Sequence, residues 1–170
     1  MNKSSNVPYP GKPEKVIIKH NVVNPEIVLR DRPGIFSCLL PHAEYLKLQT
    51  LTVDYKTYLP GYDIGTLGIS ILDSRLETQN EVIKGSIEAN SDYHGNATGF
   101  QMVRTVSGCP YHMLITPDVH NIEPGTDIGE IIVKPSFLTG NRILNKKGFP
   151  RLIGKMDEGL SHQGIEITYE

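Results

Sequence analysis

Apolar residues along this chain recur at every second position, and few stretches sustain the 3.6-residue spacing of a helix. Leu67, Ile69 and Ile71 share one face of an extended segment, with Thr66, Gly68 and Ser70 on the other. Such alternation buries one side of a strand against a core and leaves the opposite side to solvent. The 45–55 segment alternates in the same way, with a complication. Leu46 and Leu48 have one parity, whereas Leu51, Val53 and Tyr55 have the other, so a β-bulge near Gln49 or Thr50 is needed to bring both sets to one core. Further period-two runs at 16–23, 81–88, 100–106, 112–116, 128–133 and 164–169 bring the expected strands to eight or so. Sixteen glycines and twelve prolines punctuate them. Many short strands with dense turn signals predict an all-β sandwich or barrel. Composition agrees, with 18 Ile and 11 Val against only 3 Ala. Single helical turns are expected at most, at 41–45, 141–147 or 150–156, and none carries an apolar stripe.

At 170 residues the chain is of one-domain size. Its first fourteen residues hold Pro8, Pro10, Gly11 and Pro13 among polar neighbours and are expected to form a flexible arm, with a single β-sandwich domain over residues 15–170. Seventeen Lys and Arg oppose nineteen Asp and Glu, a formal charge of −2. A chain so balanced is no polybasic nucleic-acid binder, and any phosphate-binding surface has to be local. No secretory h-region opens the chain, so an intracellular protein with Cys38 and Cys109 both reduced is expected.

Motif chemistry is sparse. There is no Walker loop, dinucleotide fingerprint, His-Glu-x-x-His or Gly-x-Ser-x-Gly in the sequence, so the expectation is a protein that is not an enzyme and holds no cofactor. Cys109, His112 and His120 are the residues on which a zinc site would draw. A closed site needs a further ligand pair, and Pro117 is expected to interrupt the strand between the histidines, so solvent-facing histidines are expected instead. The basic residues gather in Arg142, Lys146, Lys147, Arg151 and Lys155, with Phe149 among them, a set able to track phosphates and stack a base.

One pattern is more specific. A strand containing Gly68 ends in Ile71-Leu72-Asp73, Arg75 follows, Gly85 lies in the next strand, and Gly125 stands 52 positions after the aspartate. This pattern resembles the core of the thirty-kilodalton superfamily of plant-virus cell-to-cell movement proteins, over residues 40–145. An aspartate closing an apolar strand beside an arginine reads as a strand-end anchor, and Gly125 after Pro124 reads as the third residue of a type II turn. These markers are therefore expected to determine the fold. The resemblance implies a jelly-roll-like antiparallel β-sandwich that binds single-stranded nucleic acid, RNA before DNA, and self-associates as an oligomer or tubule. It also implies action in the host plant cell cytoplasm and at plasmodesmata, with coat protein and host membrane or plasmodesmal proteins as further partners and no small-molecule substrate. The alternative is a small jelly-roll capsid or other virion structural protein, whose arm would order between neighbours in a shell.

Overall fold

The computed structural model describes residues 7–23, 26–29, 45–77, 81–104, 109–140, 150–157 and 164–168. Among them there is no helix, and hence none long and apolar enough to cross a membrane. In chain order the strands are β1 (Val7–Pro10), β2 (Glu14–Lys19), β3 (Ile27–Val28), β4 (Tyr45–Thr57), β5 (Gly65–Asp73) and β6 (Glu81–Glu88). They continue with β7 (Asp92–Thr98), β8 (Met102–Arg104), β9 (Tyr111–Val119), β10 (Asp127–Gly140), β11 (Arg151–Asp157) and β12 (Gly164–Thr168).

All pairings are antiparallel and fall into two sheets. An eight-stranded sheet runs β1-β10-β4-β7-β11-β12, with β2 also on β10 and β8 also on β4, and a four-stranded sheet runs β3-β9-β5-β6. The connectivity is that of one long hairpin folded over. β5 pairs with β6 at its tip, β4 with β7, β3 with β9, and β2 with β10 at its open end. Rolling this hairpin brings β10 against β4 and β9 against β5. The result is jelly-roll-like connectivity, extended on one flank by β11 and β12.

Strand parity dictates the core. Leu67, Ile69 and Ile71 of β5 face Ile131, Val133 and Phe137 of β10 and Leu51 and Val53 of β4 within one buried cluster. The bulge is where the sequence requires it: Ser136 pairs with Thr50 but Phe137 with Leu48, leaving Gln49 as the extra residue. Leu46 and Leu48 therefore join Leu51 and Val53 inside.

Three expectations are corrected. Part of the supposed flexible arm is strand, since Val7–Pro10 lies along β10 with Val7 opposite Thr139 and Pro10 opposite Ser136. Pro8 and Pro10 share a parity, and Gly11 donates its N–H to Pro135 O at 2.8 Å, so the odd residues bond to β10 while the missing proline donors face the open edge. Residues 1–6 lie outside the described set. Pro117 does not end its strand either. His120 N–H bonds Ile64 O at 2.8 Å, which sets the even residues of β9 toward β5 and turns the Pro117 nitrogen to the side where β3 no longer runs. Finally, the 150–156 segment, expected as a helical turn, is β11, held between β7 and β12. The turns expected at 41–45 and 141–147 fall outside the described residues, apart from Tyr45, which is strand.

Candidate nucleic-acid interface

Asp73, the aspartate of the sequence pattern, ends β5 with its side chain only 5% exposed. Its Oδ1 accepts from Arg75 N and Nε, both at 3.0 Å, and its Oδ2 accepts from Arg75 Nη2 at 2.6 Å. Burial pushes this carboxyl up, but the Arg75 side-chain and backbone hydrogen bonds and its charge outweigh burial and hold it below the usual range. The guanidinium carbon lies 5.9 Å from the centroid of the Tyr111 ring, which packs tilted at 57° against Phe100 with the centroids 4.7 Å apart. Ser74 N–H to Pro110 O and Leu76 N–H to Asp73 O complete the turn. Asp73 thus fixes how β5 leaves the sheet beside the start of β9.

The other motif positions lie elsewhere. Gly68 and Gly85 occupy the middle of β5 and β6, where a Cβ on Gly68 would stand 3.2 Å from Thr116 O, and Ile71 is core. Gly125 has φ +84°, and Thr126 N–H bonds Glu123 O at 3.2 Å, giving the turn after Pro124 the left-handed third residue of type II. It stands beyond the end of β9 that is remote from Asp73, roughly 30 Å away for strands of nine residues. The pattern marks turns and close approaches at both ends of a sheet and does not assemble one site.

Of the basic cluster, Arg142, Lys146 and Lys147 lie outside the described residues. Arg151 opens β11 opposite Thr98 and is exposed, and Lys155 occupies the register position opposite His94. The structure joins to this region a surface that sequence reasoning missed, the outer face of the eight-stranded sheet. Core positions on β2, β10, β4 and β8 are separated by outward ones, and these carry Lys15, Lys134, Lys47, Lys56 and Arg104, with Arg151 on the far flank. Four outward carboxylates among the described residues, Asp54, Asp92, Asp127 and Glu130, are each engaged locally, Asp127 by Lys19 Nζ at 2.5 Å. Glu130 accepts from Lys15 Nζ at 2.7 Å and from the Tyr58 hydroxyl at 3.0 Å, and these bonds hold it below its ordinary range while raising Lys15. Asp54 bonds His94 Nδ1 and lies 3.9 Å from Lys134 Nζ, and Asp92 Oδ1 accepts the Thr57 N–H at 2.8 Å. Lys47, Lys56 and Arg104 have no ion-pair partner among the described residues. Thr52, hydrogen-bonded to Asn96 at 2.9 Å, and Ile153, 53% exposed, lie between the charges.

The four-stranded sheet has the opposite character on its outer face. Glu26, Glu81, Glu88 and Asp118 project there with Lys84 as the one lysine among the described residues. His112 is also on this face, 3.1 Å from Glu26, whereas His120 follows the far end of β9, so the two histidines are separated by the length of the strand.

No family model matches the chain, and no solved structure matches it. Protein 3 of Northern cereal mosaic virus is 30% identical to it over 161 residues, 94% of this chain and 94% of that protein. The chain belongs to the family of this viral protein. The alignment spans both sheets, so the jelly-roll-like strand order and the Asp73 turn lie within the matched length.

Proposed function

We propose that the chain is a viral movement protein that binds single-stranded nucleic acid on the outer face of its eight-stranded sheet and self-associates to carry the viral genome through plasmodesmata. The observation that carries this reading is the segregation of Lys15, Lys47, Lys56, Arg104, Lys134 and Arg151 onto one sheet face of a chain whose formal charge is −2. Spaced cations on a sheet about 4.8 Å per strand follow a flexible phosphate backbone without reading bases, and Tyr45 and Ile153 offer apolar surface against bases. The Ile71-Leu72-Asp73 and Gly125 pattern and the viral relative support the same reading. In this reading the protein works without catalysis or cofactor, in the plant cell cytoplasm and at plasmodesmata, and coat protein and plasmodesmal membrane proteins are its further partners.

Jelly-roll-like pairing favours a second reading, a capsid or other virion structural subunit. Electron microscopy of the purified protein with and without single-stranded RNA separates the two. Ribonucleoprotein filaments or tubules support the movement function, and closed shells formed without RNA overturn it.

A further inference from the structure

The two sheets of a β-sandwich present outer faces that point in opposite directions, so their charges act independently on anything that approaches. Here the faces differ in sign. On the four-stranded sheet, Glu88, Thr66 and Asp118 form one cross-strand row, β6 to β5 to β9. The two carboxylates flank a threonine, and neither has an ion-pair partner among the described residues. Glu81 is shared by Lys84 at 3.6 Å and the Ser70 hydroxyl at 3.2 Å, and Glu26 adds a fourth carboxylate beside His112. Between them Thr66, Gly68, Ser70 and Thr116 are small outward residues, with Leu114 opposite Ser70 and Leu72 opposite His112 as the larger apolar ones. The eight-stranded sheet answers with Lys47, Lys56 and Arg104, likewise without ion-pair partners among the described residues, and with Lys134 beside them.

We propose that the acidic outer face of the four-stranded sheet docks on the basic outer face of the eight-stranded sheet of a second copy. The contact uses different surfaces on the two partners, so it is head-to-tail and extends into an open row of subunits. Oppositely charged patches steer such an encounter and set its register, and salt weakens it. Self-association thereby uses the surface assigned above to nucleic acid. This inference rests on that reading only for its corollary, that single-stranded RNA and a neighbouring subunit compete for one face and RNA dismantles the row.

The test is charge-swap complementation with the full chain, read by analytical ultracentrifugation at low salt, with circular dichroism verifying the fold of each variant. One variant carries Glu88→Lys and Asp118→Lys, the other Lys56→Glu and Lys134→Glu. Each alone places like charges on both faces and is expected to associate at least about tenfold more weakly than the parent, whereas an equimolar mixture is expected to regain parent-like association. The neutral pair Glu88→Gln and Asp118→Asn serves if a reversal variant does not fold, and is expected to weaken association in the same direction. Parent protein that stays monomeric at low salt, or a mixture that associates no better than its components, overturns the proposal.

Binding of a short uridine oligonucleotide is measured in parallel. The acidic-face variant is expected to keep parent affinity or better, the basic-face variant to lose at least about tenfold, and the oligonucleotide to disperse parent assemblies. Complementation without oligonucleotide binding leaves the docking proposal standing and removes the nucleic-acid reading. Oligonucleotide binding by a strictly monomeric parent does the reverse.

Discussion

Asp73 shows what a single residue contributes when its partner is close in sequence. The carboxylate is buried, yet three hydrogen bonds from Arg75 satisfy it, so the turn after β5 is closed by one side chain. Replacing Asp73 with Ala leaves the half-exposed guanidinium without its acceptor and the Arg75 N–H unpaired. This is expected to cost about 1–3 kcal/mol in urea unfolding, with nucleic-acid affinity of the folded variant unchanged. The pH dependence has a definite sign. The native carboxyl is held below its ordinary value of 3.8, so its contribution is complete above that pH and declines as the pH falls through the lower native value. The stability gap between parent and Asp73→Ala is therefore expected to close on acidification. Asp73 is legible in the sequence because its partner lies two positions away. Tyr93 is not, because what surrounds it comes from a strand much later in the chain.

At the scale of elements, β7 and β11 meet through glycine. Gly95 pairs with Gly154, and a Cβ on either would collide with the Tyr93 phenol, which fills the space that both leave. Gly95→Ala and Gly154→Ala are each expected to cost about 1–3 kcal/mol by overpacking, read from thermal or urea unfolding. The Tyr93 hydroxyl is buried with no hydrogen-bond partner among the described residues, and burial pushes its ionisation up to about 12. Burial likewise moves Tyr55 up to about 12, although its hydroxyl donates to Ala89 O at 2.7 Å. An unfolded phenol ionises near 10, so the folded state holds these protons more tightly. The contribution of these two phenols to stability is full below pH 10 and is lost as the pH rises through 12. Tyr93→Phe is expected to keep neutral-pH stability within about 1 kcal/mol of the parent and to flatten the alkaline loss. The same pair of strands shows where periodicity fails. β4, β5 and β10 alternate large apolar residues and are readable, bulge included, whereas β7 directs Tyr93, Gly95 and Ala97 inward and shows no apolar stripe. Pro117 and the N-terminal prolines mislead for a related reason, since a proline interrupts only the side of a strand that has to donate.

Across the whole molecule, rolling the hairpin decides which polar positions become neighbours. Lys47 and Lys56 of β4, Lys134 of β10 and Arg104 of β8 share a face only because β4 lies between the other two strands. Their outward parity is written in the sequence, but the order of strands across a sheet is not, and the eye is drawn instead to the contiguous basic run from Arg142 to Lys155. The two candidate surfaces make different predictions for single-stranded RNA binding as salt is varied. Removing one cation that neutralises a phosphate lowers the slope of log affinity against log salt by about 0.7. Changing Lys47, Lys56, Arg104 and Lys134 to Ala together is thus expected to reduce the slope by about 3, if each neutralises a phosphate, at a cost in stability of about 1 kcal/mol or less because these cations are on the surface. Changing Arg142, Lys146, Lys147 and Arg151 to Ala removes only Arg151 from the described sheet face and is expected to reduce the slope by about 0.7. Filter binding of a uridine oligonucleotide across a salt series measures both. A full loss of slope in the second variant with none in the first would move the binding surface off the sheet and onto the segment that precedes β11.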